Sequence, residues 1–599
     1  MILSSFGRRL LAAANGAYVA NRTALKALDT TKDVSAYLKE GGREGLFVWT
    51  TGDFSARVTA DTAEGIYIKA SAIASTAGAW VRVFSGLANV RWFGAALDDA
   101  TDDTASFTAA FATWPDIFFP EGRAYITNMV TVPNGGNLIG VGVGRSVFSV
   151  KATFNMAAAG VVQLGTAGSI TFIDKIGFEF VQPNDGIRAN LIKYPYAINH
   201  AGIPRVRIGH ISISRGWNGI NATGNAGGSA YDLIECGVLN IGLNIDGALD
   251  TVNIGRFKAW PFGMSSGLIY TGCYLDGVVV GFLLGLCDGL AGEVSLYAAK
   301  MVVTAAAGSA SRHLTSVYLD GDGALLQVVN GPLDIDFLYS TKGAADAAQS
   351  ILLSNGLSPK VRISNVYIVV SNSAQPSVLV NGGSLDINGG ILDHRALGKE
   401  AAYVQNAGSH LGLRNMELTS LGARTVAYVH ADAGNPDLVV ENCSFPPNGG
   451  TGTAVNVTAG TTGAVLGNTY NGRAVSNLSS VNDCDIWQAY TPTVTATAGA
   501  FTTVSATGRY RRIGKTVEFQ NTISITNNGT AAAIMRTTLP LQNGAVPYVG
   551  FGREVAVSGK GVTVTLAASA TTADIIFYDN TYPGATGAVI NLSGQYELP

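Results

Sequence analysis

Three runs decide the fold: Leu314-Thr-Ser-Val-Tyr-Leu319, Leu333-Asp-Ile-Asp-Phe337 and Val361-Arg-Ile-Ser-Asn-Val-Tyr-Ile-Val-Val370. Apolar and polar side chains alternate along them, which is the period of a strand with one buried face. Comparable runs lie on both sides: Ile208 to Ile213, Leu239 to Ile245, Thr251 to Ile254 and Val278 to Leu284 before them, and Ser384 to Ile391, Leu411 to Leu418 and Leu438 to Phe445 after. Several neighbours start about 20 to 30 residues apart, a spacing that suits the coils of a parallel β-helix, in which each coil buries its inward side chains against the coils above and below. A sandwich would show shorter, steadier spacing with hairpins. Asn218-Gly219, Asp246-Gly247, Asp322-Gly323 and Asn388-Gly389 are expected at tight turns between such strands.

Toward the N-terminus the texture changes. Asp102-Asp103-Thr104 offers capping oxygens to a helix whose apolar face would be Phe107, Ala110 and Phe111, ending before Pro115. Earlier, Gly65-Ile-Tyr-Ile-Lys and Ala79-Trp-Val-Arg-Val-Phe alternate like strands. Leu10, Leu11 and Ala14, then Leu25 and Leu28, then Tyr37 and Leu38, have the three-to-four spacing of short amphipathic helices. Toward the C-terminus, Gly449 to Gly472 is rich in Gly, Thr and Asn and carries no charge, as expected for a linker or the loosened end of the solenoid; beyond it the alternating runs at Thr516, Thr563 and Asp574 suggest an antiparallel sandwich. The chain therefore divides into an N-terminal helical segment (1–35), a small β-rich module (36–90), a parallel β-helix (91–460, with a capping helix at about 103–113), a linker (461–486) and a C-terminal β-sandwich (487–599). The fold class is all-β: a single-stranded right-handed parallel β-helix with a small N-terminal α/β module and a C-terminal β-sandwich.

Composition narrows the function. Charged residues make up only 14% of the 599, hydrophobic ones 47%, and 39 Lys+Arg face 42 Asp+Glu for a net charge of -3. Disorder and nucleic-acid binding are both disfavoured, because neither high net charge nor a basic patch is present. The widely spaced cysteines Cys236, Cys273, Cys287, Cys443 and Cys484 read as buried thiols, and without a CxxC pair no structural zinc site is expected. The most apolar segment, Gly277 to Cys287, falls well short of the roughly 20 residues that span a bilayer, so no membrane insertion is expected, and the first residues lack the apolar core of a signal peptide.

Gly94-Ala95, Asp98, Asp102-Asp103-Thr104, Phe107 and Ala110, then Phe119-Pro120-x-Gly122-x-x-Tyr125 and Leu138-x-Gly140-x-Gly142, resemble the opening of the pectate-lyase-like β-helices of phage tailspikes. The chain departs from that pattern at Asp99, where the family usually has glycine. Tyr37-Leu38-x-Glu40-x-Gly42-Arg43-x-Gly45-x-Phe47 through Trp80-Val81-Arg82 resembles a small N-terminal module of phage tail proteins, and Trp487-x-x-Tyr490-Thr491-Pro492 with Gly508-Arg509-Tyr510 and Ile513-Gly514-Lys515 resembles a C-terminal module of tail fibres. The resemblance implies a homotrimer made in the host cytoplasm and carried on the virion. Its N-terminus would attach to other phage tail or baseplate proteins, its β-helix would face host surface polysaccharide, and its C-terminal part would serve trimerisation or glycan contact.

Hydrolysis of a glycan needs two carboxyl groups about 5 to 9.5 Å apart. Glu293, Asp320 with Asp322, and Asp334 with Asp336 are the candidate catalytic residues in mid-solenoid, with Asp246 and Asp250 a further pair; Asp334 and Asp336 alternate on one strand and so share a face. Trp217, Trp260, Tyr274, Tyr297 and Arg312 are the candidate substrate-binding residues, since pyranose faces stack on aromatic rings. Elimination from a uronic-acid polymer would instead draw on Arg312, His313 and Tyr318. A non-catalytic receptor-binding fibre remains the other alternative. The cluster Asp98, Asp99, Asp102 and Asp103 is read as helix capping in preference to a metal site, Asp393-His394-Arg395 as a loop salt bridge, and no cofactor is expected.

Overall fold

A computed structural model describes residues 16–599 except 166–169, 305–311, 344–348, 355–358, 372–373, 433, 448–449, 476–480 and 482. The expected helix at Leu10 to Ala14 lies outside the described residues. The chain divides into two compact units, 1–378 and 379–599.

The first unit opens with a five-stranded sheet built from β1 (Ala17–Val19), β2 (Ser35–Leu38), β3 (Gly45–Thr51), β4 (Tyr67–Ile68) and β5 (Gly78–Arg82) in the order β1-β2-β3-β5-β4. Between β1 and β2, the short helix α1 (Arg22–Lys26) buries Leu25. Tyr37 and Leu38, expected on a helix, lie on β2 instead. A pair of adjacent apolar residues fits either period, and here Leu38 is buried beside Phe47 and Trp80 while Tyr37 faces out.

Helix α2 (Thr104–Thr113) buries Phe107, Ala110 and Phe111 as its spacing requires. Phe107 meets Phe119 and Phe148 at ring-centroid distances of 5.2 and 5.0 Å, and Phe148 meets Phe178 at 5.5 Å, so the helix closes the end of an aromatic stack. Its capping differs from expectation. Asp102 takes the Thr104 N–H at 2.9 Å, but the Asp103 carboxylate reaches back to the Ala96 and Leu97 N–H groups, because that loop has no strand partners of its own. Asp99 adopts φ +63, a left-handed conformation that glycine takes most readily.

Beyond α2 the unit is a parallel β-solenoid. Short strands stack coil on coil (Asp116–Phe118, Asn137–Ile139 and Phe172–Asp174 along one side) and merge into long bent strands: β6 (Arg207–Ala222), β7 (Ala230–Ile245) and β8 (Ala248–Ala259). The ladder continues in parallel through β9 (Cys287–Tyr297), β10 (Arg312–Asp320), β11 (Pro332–Lys342) and β12 (Lys360–Val370). One inward column runs Ile211, Ile234, Phe257, Val294, Val317, Leu338 and Val366, every member buried. Burying such a side chain is worth about 1.5 to 3 kcal/mol, and none of these strands could achieve it without the coils on either side. Val317→Asp would leave an unpaired carboxylate between Val294 and Leu338 and break the stack locally.

Asp246-Gly247 and Asp322-Gly323 do turn the chain, with φ +72 and +84 at the glycines. Asn218-Gly219 and Asn388-Gly389 do not; they lie inside strands. A Cβ on Gly219 would come within 2.2 Å of the Gly242 carbonyl oxygen of the next coil, so close packing, not a turn, is what requires glycine there.

The second unit begins with coils of the same kind: β13 (Ser384–His394), β14 (His410–Thr419), β15 (Asp437–Glu441) and β16 (Thr462–Leu466) pair in parallel. Then β17 (Asp483–Tyr490) pairs in parallel with β16 and opens an antiparallel module. Its further strands are β18 (Val494–Ala498), β19 (Thr503–Ile513), β20 (Thr516–Asn527), β21 (Ala532–Thr538), β22 (Tyr548–Glu554), β23 (Gly561–Leu566), β24 (Thr572–Phe577) and β25 (Val589–Glu597). Antiparallel pairs give the order β17-β19-β20-β25-β22-β23-β24-β21-β18, wrapped around a core that includes Val517, Phe519, Met535, Ile575 and Ile590. All five cysteines are buried free thiols.

Candidate functional site

Strand alternation sends every second residue of β8 to β12 away from the core. The outward column beside the inward one is Lys258, Ser295, Tyr318, Tyr339 and Tyr367. In its last three coils the rings form a ladder. Tyr318 and Tyr339 lie 5.8 Å apart between centroids, Tyr339 and Tyr367 lie 5.7 Å apart and within 9° of parallel, and Phe337 stands edge-on to Tyr318 at 6.3 Å. Strand stacking sets this spacing, and the rings are left partly open to solvent. Sequence reading did not single out Tyr339 and Tyr367. The signal was present as one apolar-Tyr step per coil: Val317-Tyr318, Leu338-Tyr339 and Val366-Tyr367.

The next outward column is Tyr297, Asp320 and Thr341. Asp320 accepts the Thr341 hydroxyl at 2.6 Å, and Asp322, in the following turn, accepts the Gly343 N–H at 2.6 Å. Both donors are neutral and lie two residues apart on the neighbouring coil. Among the described residues no cation pairs with either. The Tyr297 hydroxyl lies 3.1 Å from that of Tyr270, and this bond, with burial and the nearby Asp320 and Asp322, pushes its pKa up to about 12; the phenol stays protonated and cannot act as a base at neutral pH. Trp260 packs at 5.4 Å from Tyr297 and donates its indole N–H to Ser295 at 3.2 Å. The segment from Trp260 to Val279 that carries Tyr270 is fastened by Arg188, which pairs with Asp276 and donates to the Leu239 and Cys273 carbonyl oxygens.

The remaining candidates are differently placed. Glu293 is held by Arg256 at 2.8 Å and Asp334 by both forks of Arg362 at 2.7 and 2.9 Å. Asp336 shares the outward face with Asp334, as alternation requires, and pairs with His313 at 2.8 Å. Trp217 lies about 6 Å from Arg188 and Lys193, away from the tyrosine column. Asp246 braces the Leu286 N–H and Asp250 the Thr251 N–H, so they form no pair.

Two expected substrate-binding residues are interior. Tyr274 is fully buried and donates to the Tyr297 carbonyl oxygen at 3.0 Å. Arg312 is fully buried as well and donates to the carbonyl oxygens of Cys287 and Gly285, which its guanidinium satisfies inside the coil. This also separates the set considered for elimination: Arg312 faces inward while His313 and Tyr318 face outward.

In the second unit, the outward face of β13 to β16 carries ions. His410 is gripped by Asp437 at Nδ1 (2.6 Å) and Asp386 at Nε2 (3.2 Å), while Arg414 joins Asp386 (2.6 Å) to Glu441 (3.0 Å). The His410 hydrogen bond, with that of Arg414, lowers Asp386 to about 2, and the Asp386 bond raises the imidazole above its usual value. Asp393 and Arg395 form the expected pair at 2.7 Å beside a buried His394, whose pKa burial lowers to about 3.

No family model and no curated protein matches the chain. Among solved structures, the chain is similar to the Dettilon tailspike protein, with 13% identity over 84% of this chain and 92% of that one and a TM-score of 0.37. It is similar also to the gp42 tailspike of Acinetobacter phage vb_AbaP_AS12, with 10% identity over 88% and 92% and a TM-score of 0.38. The catalytic unit of a GH87 alpha-1,3-glucanase from Streptomyces thermodiastaticus shows 14% identity over 68% and 74%, with a TM-score of 0.26.

Proposed function

We propose that this chain is a phage tailspike that binds host surface polysaccharide along the tyrosine ladder and hydrolyses it beside that ladder with Asp320 and Asp322. The observation that carries the reading is the outward column Tyr318, Tyr339 and Tyr367, adjacent to a carboxyl pair that neutral donors hold in place. Stacked rings at a fixed rise offer apolar faces to successive pyranoses, and the neighbouring hydroxyls and carboxylates take the sugar hydroxyls. In this reading one of the two acts as the acid that protonates the leaving oxygen and the other as the carboxylate that activates water or attacks the sugar. Glu293, Asp334 and Asp336 are less suited to proton transfer, since each is engaged by a cationic or imidazole partner. In this reading the active molecule is a homotrimer on the virion, attached through its N-terminal part to other tail or baseplate proteins.

The test is the purified protein mixed with surface polysaccharides from candidate hosts, following reducing ends and the absorbance of unsaturated sugars together. Reducing ends without absorbance are expected, and Asp320→Asn and Asp322→Asn should each slow their release about 10²- to 10⁴-fold with unchanged melting. Since ion pairing engages three of the five carboxylates, a receptor-binding fibre without catalysis is the second reading. Binding with neither signal would establish it, and absorbance would mean elimination by residues other than Arg312.

A further inference from the structure

An open groove of about 600 Å³ lies on the antiparallel module of the second unit, across the outer face of β19, β20, β25 and β22. Antiparallel register aligns its lining into rows that run across the strands. The central row is Arg509, Gln520, Ser593 and Phe551, and the row beside it is Thr507, Thr522, Asn591 and Arg553. The alternate positions, Tyr510, Phe519, Leu592 and their neighbours, point into the core, so the groove floor is polar by the same alternation that makes the module fold.

Two features distinguish this face from an ordinary solvated sheet. Phe551 is 68% exposed at one end of the central row, and Val549, two residues along the same outward face, is 56% exposed. At the other end, Trp487 on β17 lies against the guanidinium groups of Arg509 (4.8 Å) and Arg511 (5.2 Å). That contact and the 2.8 Å bond from Arg509 Nε to Gln520 fix the Arg509 side chain, while among the described residues neither of its terminal nitrogens has an acceptor. Arg511 is neutralised by Glu518 at 2.7 Å, which leaves Arg509 and Arg553 as uncompensated charge on the face. A preorganised guanidinium fork with open donors matches a carboxylate, and an exposed ring matches the apolar face of a pyranose. From β17 to β22 is four strand steps, about 19 Å, a span that holds a tetrasaccharide.

The geometry points to a glycan-binding site in this groove for an acidic oligosaccharide. A uronate carboxylate meets the terminal nitrogens of Arg509, one sugar ring lies on Phe551, and hydroxyls meet Gln520, Thr522, Asn591 and Ser593. The Thr522 hydroxyl already donates to Asn591 at 2.9 Å, which fixes the orientation of that amide before any ligand arrives. This site does not rest on the reading of the tyrosine ladder or on hydrolysis there.

Calorimetric titration of the full chain with tetramers of galacturonate, mannuronate and guluronate, and with cellotetraose as the neutral probe, tests it. At least one uronate tetramer should bind, with cellotetraose tenfold weaker or more. Arg509→Gln and Phe551→Ala should each weaken uronate binding at least tenfold, and Arg509→Lys should fall between wild type and Arg509→Gln. Melting curves of the variants check that the module is folded, and the graded Arg509→Lys result would not arise from misfolding. Binding of none of the three uronates, or binding unaffected by Arg509→Gln and Phe551→Ala, overturns the proposal. So does a fall in molar mass of Phe551→Ala by light scattering, which would make this face a contact between copies of the chain.

Discussion

Strands β10 to β12 and strands β13 to β16 are built on the same inward alternation, yet their solvent-facing columns carry opposite chemistry. On the former the column is Tyr318, Tyr339 and Tyr367, rings that contact one another and leave a face to solvent. On the latter, Asp386, His410, Arg414, Asp437 and Glu441 satisfy one another, each charge meeting an opposite charge on the next coil. A closed lattice of ion pairs has little left to offer a ligand, and it lines up adjacent coils by charge. The aromatic column contributes less to register and keeps its binding capacity. The difference separates an outer face that serves the solenoid from one available to a partner.

The sharpest way to break this contrast is Tyr339→Ala. Removing the middle ring interrupts the ladder, and polysaccharide affinity should fall about tenfold to a hundredfold, or about 1.4 to 2.7 kcal/mol. The melting temperature should hardly move, because the ring lies outside the core. Equal affinity in the variant would mean that the column is a surface feature like the ionic one.

The converse change is His410→Gln. It removes an imidazole held between two carboxylates, and the loss of stability should be about 1 kcal/mol, kept small by the 42% exposure of the Asp437 side chain. The effect has a pH window. The folded pKa of His410 is raised from 6.5, so its contribution is complete below about pH 6.5 and disappears as pH rises through the folded value. Asp386 is lowered from 3.8 to about 2, so its contribution is present above about pH 4 and disappears as pH falls toward 2. Asp437, Arg414 and Glu441 complete the charges that face this imidazole. The gap in melting temperature between wild type and variant should thus be widest at about pH 4 to 6.5 and narrow on either side. A gap that grows above pH 7 would contradict the ion-pair account.

How much of this was legible follows from what alternation encodes. Period-two runs spaced by one coil revealed the solenoid, and they placed Asp334 and Asp336 on one face because Ile335 between them had to be buried. The same logic could not rank side chains outside regular strands or at their ends. Tyr274 sits in a short helical turn within the Trp260 to Val279 segment, where no alternation tells inside from outside, and it proved to be core. Arg312 stands at the start of β10, where the polar inside of a coil end needs a donor for the Cys287 and Gly285 carbonyl oxygens, and charge alone suggested the surface. The tyrosine column was hidden for another reason. Its members are 21 and 28 residues apart, and only the register of the stacked coils shows that those unequal intervals return to one position.

The smallest expected effect sharpens the comparison from within the first unit. Asp334 and Arg362 are also an ion pair between coils, with two good hydrogen bonds, so geometry alone would rank them with the lattice around His410. Their surroundings differ. The Arg362 side chain is 74% exposed, so water and salt screen the attraction and the ordering of a long side chain offsets most of what remains. Asp334→Asn should therefore change stability by less than about 0.5 kcal/mol, with little dependence on salt, and should leave polysaccharide cleavage near the wild-type rate. A double-mutant cycle with Arg362→Gln, read by chemical unfolding, measures the coupling directly. A coupling above about 1 kcal/mol would place this pair with the ionic lattice and remove the energetic distinction between the two faces, leaving only the tyrosines to tell them apart.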